Sequence, residues 1–187
     1  MIIRKTKKKK KTRIQRKAKS SLTKGDDYCK IKKYDDLEIM KKAMTLAKKA
    51  GAQGEIPIAA IVARDGEIIA SAKNAVRSKN DPTAHAEVLA IKKACKKLNN
   101  YRLPDCTLYT TLEPCVMCTG AIIEARLNRL VIAALDDRRG AVKSNLSLID
   151  SACSNHKMQV EAGLLQEEAS QMLTDFFSQL RDLRKNK

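Results

Sequence analysis

Two short strings in this 187-residue chain have the residue types and spacing to do chemistry: His85-Ala86-Glu87 and Pro114-Cys115-Val116-Met117-Cys118. Imidazole nitrogen and thiolate sulfur are the donors zinc prefers, and a catalytic zinc keeps three protein ligands and one open position. His85, Cys115 and Cys118 make such a set, for one Zn2+ per chain. Glu87 is left over. It is not needed as a ligand and is free to carry protons in a hydrolytic reaction. Each half alone is weak evidence. Two cysteines three apart could be small core residues, a redox pair, or half of a closed structural zinc site. The closed site lacks a second half, because the chain has only two histidines and Cys29, Cys95, Cys106 and Cys153 show no paired spacing. The combination of H-x-E with P-C-x-x-C is far more specific than either string.

The length is that of one domain, and 43% hydrophobic residues suffice for a sizeable core. No apolar run approaches the roughly 18 residues of a membrane span, and no signal-peptide core follows the basic start. Six cysteines, two of them reserved as thiolates, favour a reducing compartment, the cytoplasm. The charge is uneven. Residues 1 to 34 hold 15 Lys/Arg and two acidic residues, +13 of the total +17. With no apolar period, this basic N-terminal extension is expected to be disordered up to about residue 33. Attraction to RNA phosphates is the first of its sharper readings. Organellar targeting stays open but ranks lower, since the segment is dominated by lysine rather than by Arg and Ser. A plain solvated tail is the default.

Within 35–187 the pattern must place the two strings. Asp35-Asp36 caps a helix to about Ala50, with Leu37, Met40, Met44 and Ala47 at helical spacing. Ile56 to Ala63 and Glu67 to Lys73 read as strands joined by the Asp65-Gly66 turn. Asn74 to Asn80 reads as a polar loop. Asp81-Pro82-Thr83 opens a helix whose buried stripe is Ala84, Val88, Ile91, Cys95 and Leu98. Cys106 to Leu112 is a strand, Pro114 to about Leu127 a helix, Leu130 to Leu135 a strand and Asp136 to Asp150 a loop. Lys157 to Glu161 is a short strand. A last helix follows Gly163, with Leu165, Ala169, Met172, Leu173, Phe176, Leu180 and Leu183 as its stripe. This order predicts an α/β fold of three layers, a mixed five-stranded sheet with helices on both faces. Both strings then open helices beyond strand ends, where the positive end of a helix favours thiolates.

The chain resembles the bacterial-type tRNA-specific adenosine deaminases, of the zinc-dependent cytidine/deoxycytidylate deaminase superfamily, over roughly residues 35 to 185. The resemblance rests on Glu55-Ile56-Pro57-Ile58, Asp81 to Glu87, Asn100-Tyr101-Arg102-Leu103, Thr107-Leu108-Tyr109, Thr111 to Cys118 and Asp175-Phe176-Phe177. It implies a cytidine deaminase-like fold and a homodimer that converts the wobble adenosine of a tRNA anticodon loop to inosine, with the arginine tRNA of anticodon ACG as substrate. It further implies that Asn74 bonds the target base, that Ile56, Pro57 and Leu112 line its pocket, and that the Ala86 backbone helps read the base edge. Asp136, Arg138, Arg139 and Phe177 become candidate RNA contacts. Read alone, Asn74 is a turn-forming loop residue, and Phe176 and Phe177 are core. The first 34 residues have no counterpart in the family pattern. Leu135 stands where a basic residue is expected, with Arg138 and Arg139 the candidates to supply that charge.

The expected chemistry is attack of zinc-bound hydroxide on C6 of adenine, the metal having lowered the pKa of its water to about 7. Glu87 moves the proton first to the ring nitrogen beside C6 and then to the departing amino group. An anticodon-loop base is already unpaired, so extruding it costs little. Two rival readings are a deaminase of a free base or nucleoside, such as guanine or cytidine, and a zinc-stabilised RNA-binding subunit without activity. The cationic surface speaks against the first and Glu87 against the second.

Overall fold

A computed structural model describes residues 32–152, 154 and 156–185. The expected disorder of the basic extension lies almost wholly outside the described residues. Helix α1, Asp36–Ala52, starts at a capping box: the Asp35 side chain accepts from the Glu38 amide and Glu38 accepts from that of Asp35. Strands β1 (Ala59–Arg64) and β2 (Glu67–Lys73) form the hairpin at Asp65-Gly66, both in positive φ. Next come a single helical turn α2 (Val76–Lys79), helix α3 (Ala86–Leu98), strand β3 (Cys106–Leu112), helix α4 (Val116–Glu124) and strand β4 (Arg129–Ala134). A 3-10 turn at Leu148–Asp150, strand β5 (Gln159–Ala162) and helix α5 (Gln166–Lys185) complete the chain.

The sheet order is β2-β1-β3-β4-β5, with β1 antiparallel to both neighbours and β3, β4 and β5 parallel. Alternation splits the strands between two cores. Ala60, Val62, Leu108, Leu130 and Ile132 face α3 and α4, while Ile61, Ala63, Tyr109, Val131 and Ala133 face α1 and α5. This is the expected three-layer α/β/α fold with a mixed five-stranded sheet.

Four strands point one way, so β2, β3 and β4 release the chain at the same edge, and β1 enters there. The segments after β2, after β3, after β4 and before β1 therefore meet at one end of the sheet. Those segments hold Asn74 and His85, Cys115 and Cys118, the 136–147 loop, and Ile56 and Pro57 respectively.

Several boundaries differ from the sequence pattern. β1 begins at Ala59 rather than Ile56, because Pro57 has no amide and Ile58 N turns back onto Ile56 O at 2.8 Å. α3 begins at Ala86 rather than Asp81. The Asp81 side chain takes the Thr83 amide at 2.8 Å and its hydroxyl at 2.7 Å, closing a turn instead. α4 likewise begins after Pro114, at Val116, and stops at Glu124, short of Leu127. The loop expected at 74–80 contains the turn α2. β4 ends at Ala134, leaving Leu135 39% exposed. The stripe of α5 is the largest departure: Ala169 is buried but Leu183 is 65% exposed. A 20-residue helix is about 30 Å long, whereas six-residue β4 spans about 20 Å, so the last turns of α5 run past the sheet.

Candidate active site

His85 is the N-cap of α3 and Cys115 the N-cap of α4, and neither side chain caps its own helix. Both are free to face each other across the sheet end. His85 Nδ1 lies 3.7 Å from Cys115 Sγ and 3.4 Å from Cys118 Sγ. The three donor atoms lie within 4.8 Å of one another, and among the described residues no fourth His, Cys, Asp or Glu joins them. One nitrogen and two sulfurs with an open side are the donor set of a catalytic zinc, so the residues fit that ion.

The charges agree. Hydrogen bonds from the Cys118 thiol and from His85 push the Cys115 thiol down to about 3, against the cost of burial. The same bond, with burial, holds Cys118 up. A divalent cation bound there would hold both sulfurs as thiolates. The Cys115 contact outweighs burial and raises His85, with the Glu87 charge adding to the rise.

Glu87 is 4% exposed. Burial raises its carboxyl above the usual carboxylate range, while the His85 charge works against the rise. It is near enough for His85, Cys115 and Cys118 to act on its carboxyl, without belonging to the donor set. Ala86, between them, is the first residue of α3, and helix geometry leaves its amide without an intrahelical acceptor.

Asn74 is 4% exposed, and its amide N bonds Ile58 O at 2.9 Å, tying it to the Ile56–Ile58 segment. The next residue, Ala75, bonds Ala84 O at 3.1 Å, one residue before His85. Pro57 is buried; Ile56 and Leu112 are half-buried. Arg138 and Arg139 are exposed, and the Arg139 charge is near enough to act on His85. The Asp136 carboxylate is spent on the turn, accepting from the amides of Arg138 at 3.0 Å and Arg139 at 3.1 Å. Phe177 is 41% exposed and meets Phe176 edge to face, with ring centroids 5.5 Å apart. Its described contact is to Phe176 rather than to the metal end. Phe176 faces a surface groove shared with Pro57 and Gly51, which includes none of His85, Glu87, Cys115 and Cys118.

Sequence reasoning assigned no role to two buried carboxylates at this end, Glu55 and Glu113. Glu113 accepts from the amides of Asp136 (3.0 Å), Val142 (3.0 Å), Lys143 (2.7 Å) and Ser144 (3.0 Å), and from the Ser144 hydroxyl. These bonds overcome burial and push its carboxyl down to about 2. Glu113 thereby folds the 136–147 loop onto the site, where Ala141 N also bonds Pro114 O at 2.9 Å. Gly140 passes so close that a Cβ there would meet Glu113 Oε2 at 2.3 Å. The only signal in the sequence was the position of each glutamate among apolar residues at a strand mouth, before Ile-Pro and after Thr-Leu.

The family described as MafB19-like deaminase matches residues 34–181. A tRNA-specific adenosine deaminase of Aquifex aeolicus is 46% identical over 143 residues, covering 76% of this chain and 94% of the relative. A solved structure from work on A-to-I editing by tRNA:A34 deaminases at the wobble position superposes with TM-score 0.70 at 42% identity. It covers 72% of this chain and 97% of that one. A guanine deaminase from Nitrosomonas europaea superposes with TM-score 0.63 at 29% identity, covering 76% and 84%. With its His-Cys-Cys donor set, the buried Glu87 and these relationships, the chain belongs to the tRNA-specific adenosine deaminases, a family of hydrolytic deaminases.

Proposed function

We propose that this protein converts the wobble adenosine of a tRNA anticodon loop to inosine, with the arginine tRNA of anticodon ACG as its substrate. One observation carries the reading: a buried carboxyl outside the donor set, Glu87, lies within electrostatic reach of three donors with no fourth among the described residues. A purely structural metal site needs no such group. The name of the Aquifex aeolicus relative supports tRNA as the substrate, as does the surplus of cationic charge.

His85, Cys115 and Cys118 would hold one Zn2+, which when bound supplies a Lewis acid and a water of lowered pKa. Glu87 then moves protons. Its carboxylate takes one from the nucleophile, delivers it to the ring nitrogen beside C6, and later protonates the departing amino group. Asn74 bonds the target base, Ile56, Pro57 and Leu112 bound it, and the Ala86 amide reads its edge. Arg138, Arg139 and Phe177 face the RNA beyond. The chain works as a homodimer, and the exposed C-terminal half of α5 leaves surface for contacts beyond one chain. Among the described residues no helix is long and apolar enough to cross a membrane. The basic extension adds phosphate attraction without choosing the base. Deleting residues 1–33 should therefore weaken tRNA binding and flatten its salt dependence while leaving saturated turnover intact.

The test is to incubate the purified protein with the arginine tRNA and score inosine at the wobble position, with free guanine and cytidine in parallel. Inosine in the tRNA alone supports the reading. Release of ammonia from free guanine with no change in the tRNA overturns it, in favour of the activity the Nitrosomonas europaea structure is named for.

A further inference from the structure

Glu55 lies outside the metal centre, is 2% exposed and carries no role in the chemistry above. Its carboxylate spans two segments. Oε1 accepts the Ser78 amide at 2.7 Å, and Oε2 accepts the Asn74 side-chain Nδ2 at 3.2 Å. Its own amide bonds Ala50 O at 3.1 Å, anchoring it to the end of α1. Around it the same two segments are joined twice more: Arg77 Nη1 donates to Gly54 O at 2.9 Å, and the Lys73 ammonium meets the Gln53 side chain. Burial works to raise the Glu55 carboxyl, but the bonds from Ser78 and Arg77 and the Arg77 charge prevail and hold it below the usual carboxylate range.

An ionised carboxylate only accepts hydrogen bonds. Asn74 must therefore turn its Nδ2 toward Glu55, because the flipped amide would set Oδ1 against a negative oxygen. The other end of the amide, Oδ1, then points away from Glu55. A side chain that could present either of two opposite hydrogen-bonding edges presents one.

We propose that Glu55 is a positioning residue for deamination: it fixes the side-chain amide of Asn74 in the one orientation that matches the target base. This rests on the reading of Asn74 as a base contact, and the experiment separates the two. Glu55 acts through Asn74 and does not itself touch the substrate.

Glu55→Gln is the informative change. Ser78 N and Asn74 Nδ2 are two donors, and glutamine offers one oxygen and one NH2 in place of two oxygens. With the backbone amide of Ser78 fixed, the glutamine oxygen goes there, its NH2 faces Asn74, and the Asn74 amide turns over. In the zinc-loaded full chain, Glu55→Gln should lower kcat on tRNA about 10- to 100-fold, the range of one lost buried hydrogen bond. KM should move less than about threefold, because phosphate contacts dominate tRNA affinity. Asn74→Ala should lower kcat similarly, and Glu55→Gln added to Asn74→Ala should change it no further. A second pair covers the case in which Glu55→Gln folds poorly. Asn74→Asp sets two carboxylates face to face and should nearly abolish turnover. Adding Glu55→Gln to it restores a donor opposite an acceptor and should recover at least about tenfold in kcat.

If Glu55→Gln costs as much in the Asn74→Ala background as alone, or if it fails to rescue Asn74→Asp, Glu55 does not act through Asn74 and the proposal is overturned. If Asn74→Ala leaves kcat and KM unchanged, the base-contact reading falls first, whatever Glu55 does.

Discussion

The first turn of α3 and the loop after β4 each enclose a glutamate almost completely, and they shift those carboxyls in opposite directions. Glu87 is 4% exposed and burial raises its carboxyl. Glu113 is 3% exposed and is pushed down to about 2. Surface exposure alone therefore does not separate them, although Glu87 lies deeper in the fold and burial dominates its carboxyl. Glu113 has four backbone amides and a hydroxyl aimed at its two oxygens, enough to replace water for the charged form. Glu87 has no comparable set, and its neighbours are the groups of the metal end. A carboxyl raised by burial holds its proton more readily than an ordinary carboxylate, whereas one saturated with amides is kept ionised and holds backbone in place. In the proposed reaction the first glutamate moves a proton, while the second immobilises a loop.

The difference predicts that the two glutamates fail differently. Glu87→Ala should lower single-turnover deamination by about 10²- to 10⁴-fold, the usual contribution of a positioned acid-base group. Zinc content and melting temperature should stay near those of the parent, since no donor bond of the metal set is lost. Rapid-quench measurement of inosine formation alongside metal analysis checks this. A variant within about threefold of the parent rate would leave the proton transfer to another residue.

Glu113→Ala should act mainly on stability. It strands amides that the loop cannot turn to solvent, and each unmet buried donor costs about 1–3 kcal/mol. With partial rescue by water, the loss in unfolding free energy should be roughly 3–5 kcal/mol, read by urea denaturation. The parent should show a matching acid sensitivity. The folded carboxyl sits at about 2 against an ordinary value of 4.5, so the unfolded chain takes up the proton first. The stabilisation is complete above about pH 4.5 and is lost as pH falls toward about 2, with about 3 kcal/mol at stake. In Glu113→Ala the slope of stability against pH in that window should flatten. Gly140→Ala attacks the same loop from the other side, because its Cβ would meet both Glu113 Oε2 and, at 2.6 Å, Asp136 O. It should destabilise by about 1–3 kcal/mol as an overpacking change.

This contrast also marks what the sequence could reveal. The grouping of His85, Cys115 and Cys118 was legible because zinc chemistry demands particular side chains at particular spacings, and side chains are what a sequence displays. The helices and strands that carry them were legible from periodicity, to within a few residues. Glu113 and Glu55 were not legible, because most of their partners are backbone amides, which every residue but proline carries. The amides that meet Glu113 come from 23 to 31 positions further along the chain. Nothing in Asp136, Val142, Lys143 or Ser144 as residue types announces that their N–H groups converge. The helix starts at 81 and 114 were misplaced for a related reason: proline suits a first helical turn, but the Asp81 side chain had already closed a turn of its own.

The smallest expected effect comes from a third carboxylate, at the opposite end of the sheet. Asp36 accepts both Arg129 Nη1 at 3.0 Å and Nη2 at 2.6 Å, while Arg129 also reaches Glu161 and the Tyr109 hydroxyl donates to Asp36. The Arg129 hydrogen bonds lower the Asp36 carboxyl, in the same direction as Glu113 but from a different cause. Here the charge is met by another charge, in a side chain left 42% exposed. Water screens such a pair, so Asp36→Asn should cost only about 1 kcal/mol, well below Glu113→Ala. Since the Asp36 pKa is depressed, its contribution is present above the ordinary aspartate value and fades as pH drops below it. The discriminating variable is salt. Raising ionic strength should shrink the Asp36→Asn difference toward zero, because exposed ion pairs are screened, and should leave the Glu113→Ala difference almost unchanged, because backbone amides in a buried loop are not. Equal salt sensitivity in the two variants would mean that the loop around Glu113 admits water. Its carboxylate would then be held by charge rather than by enclosed amides.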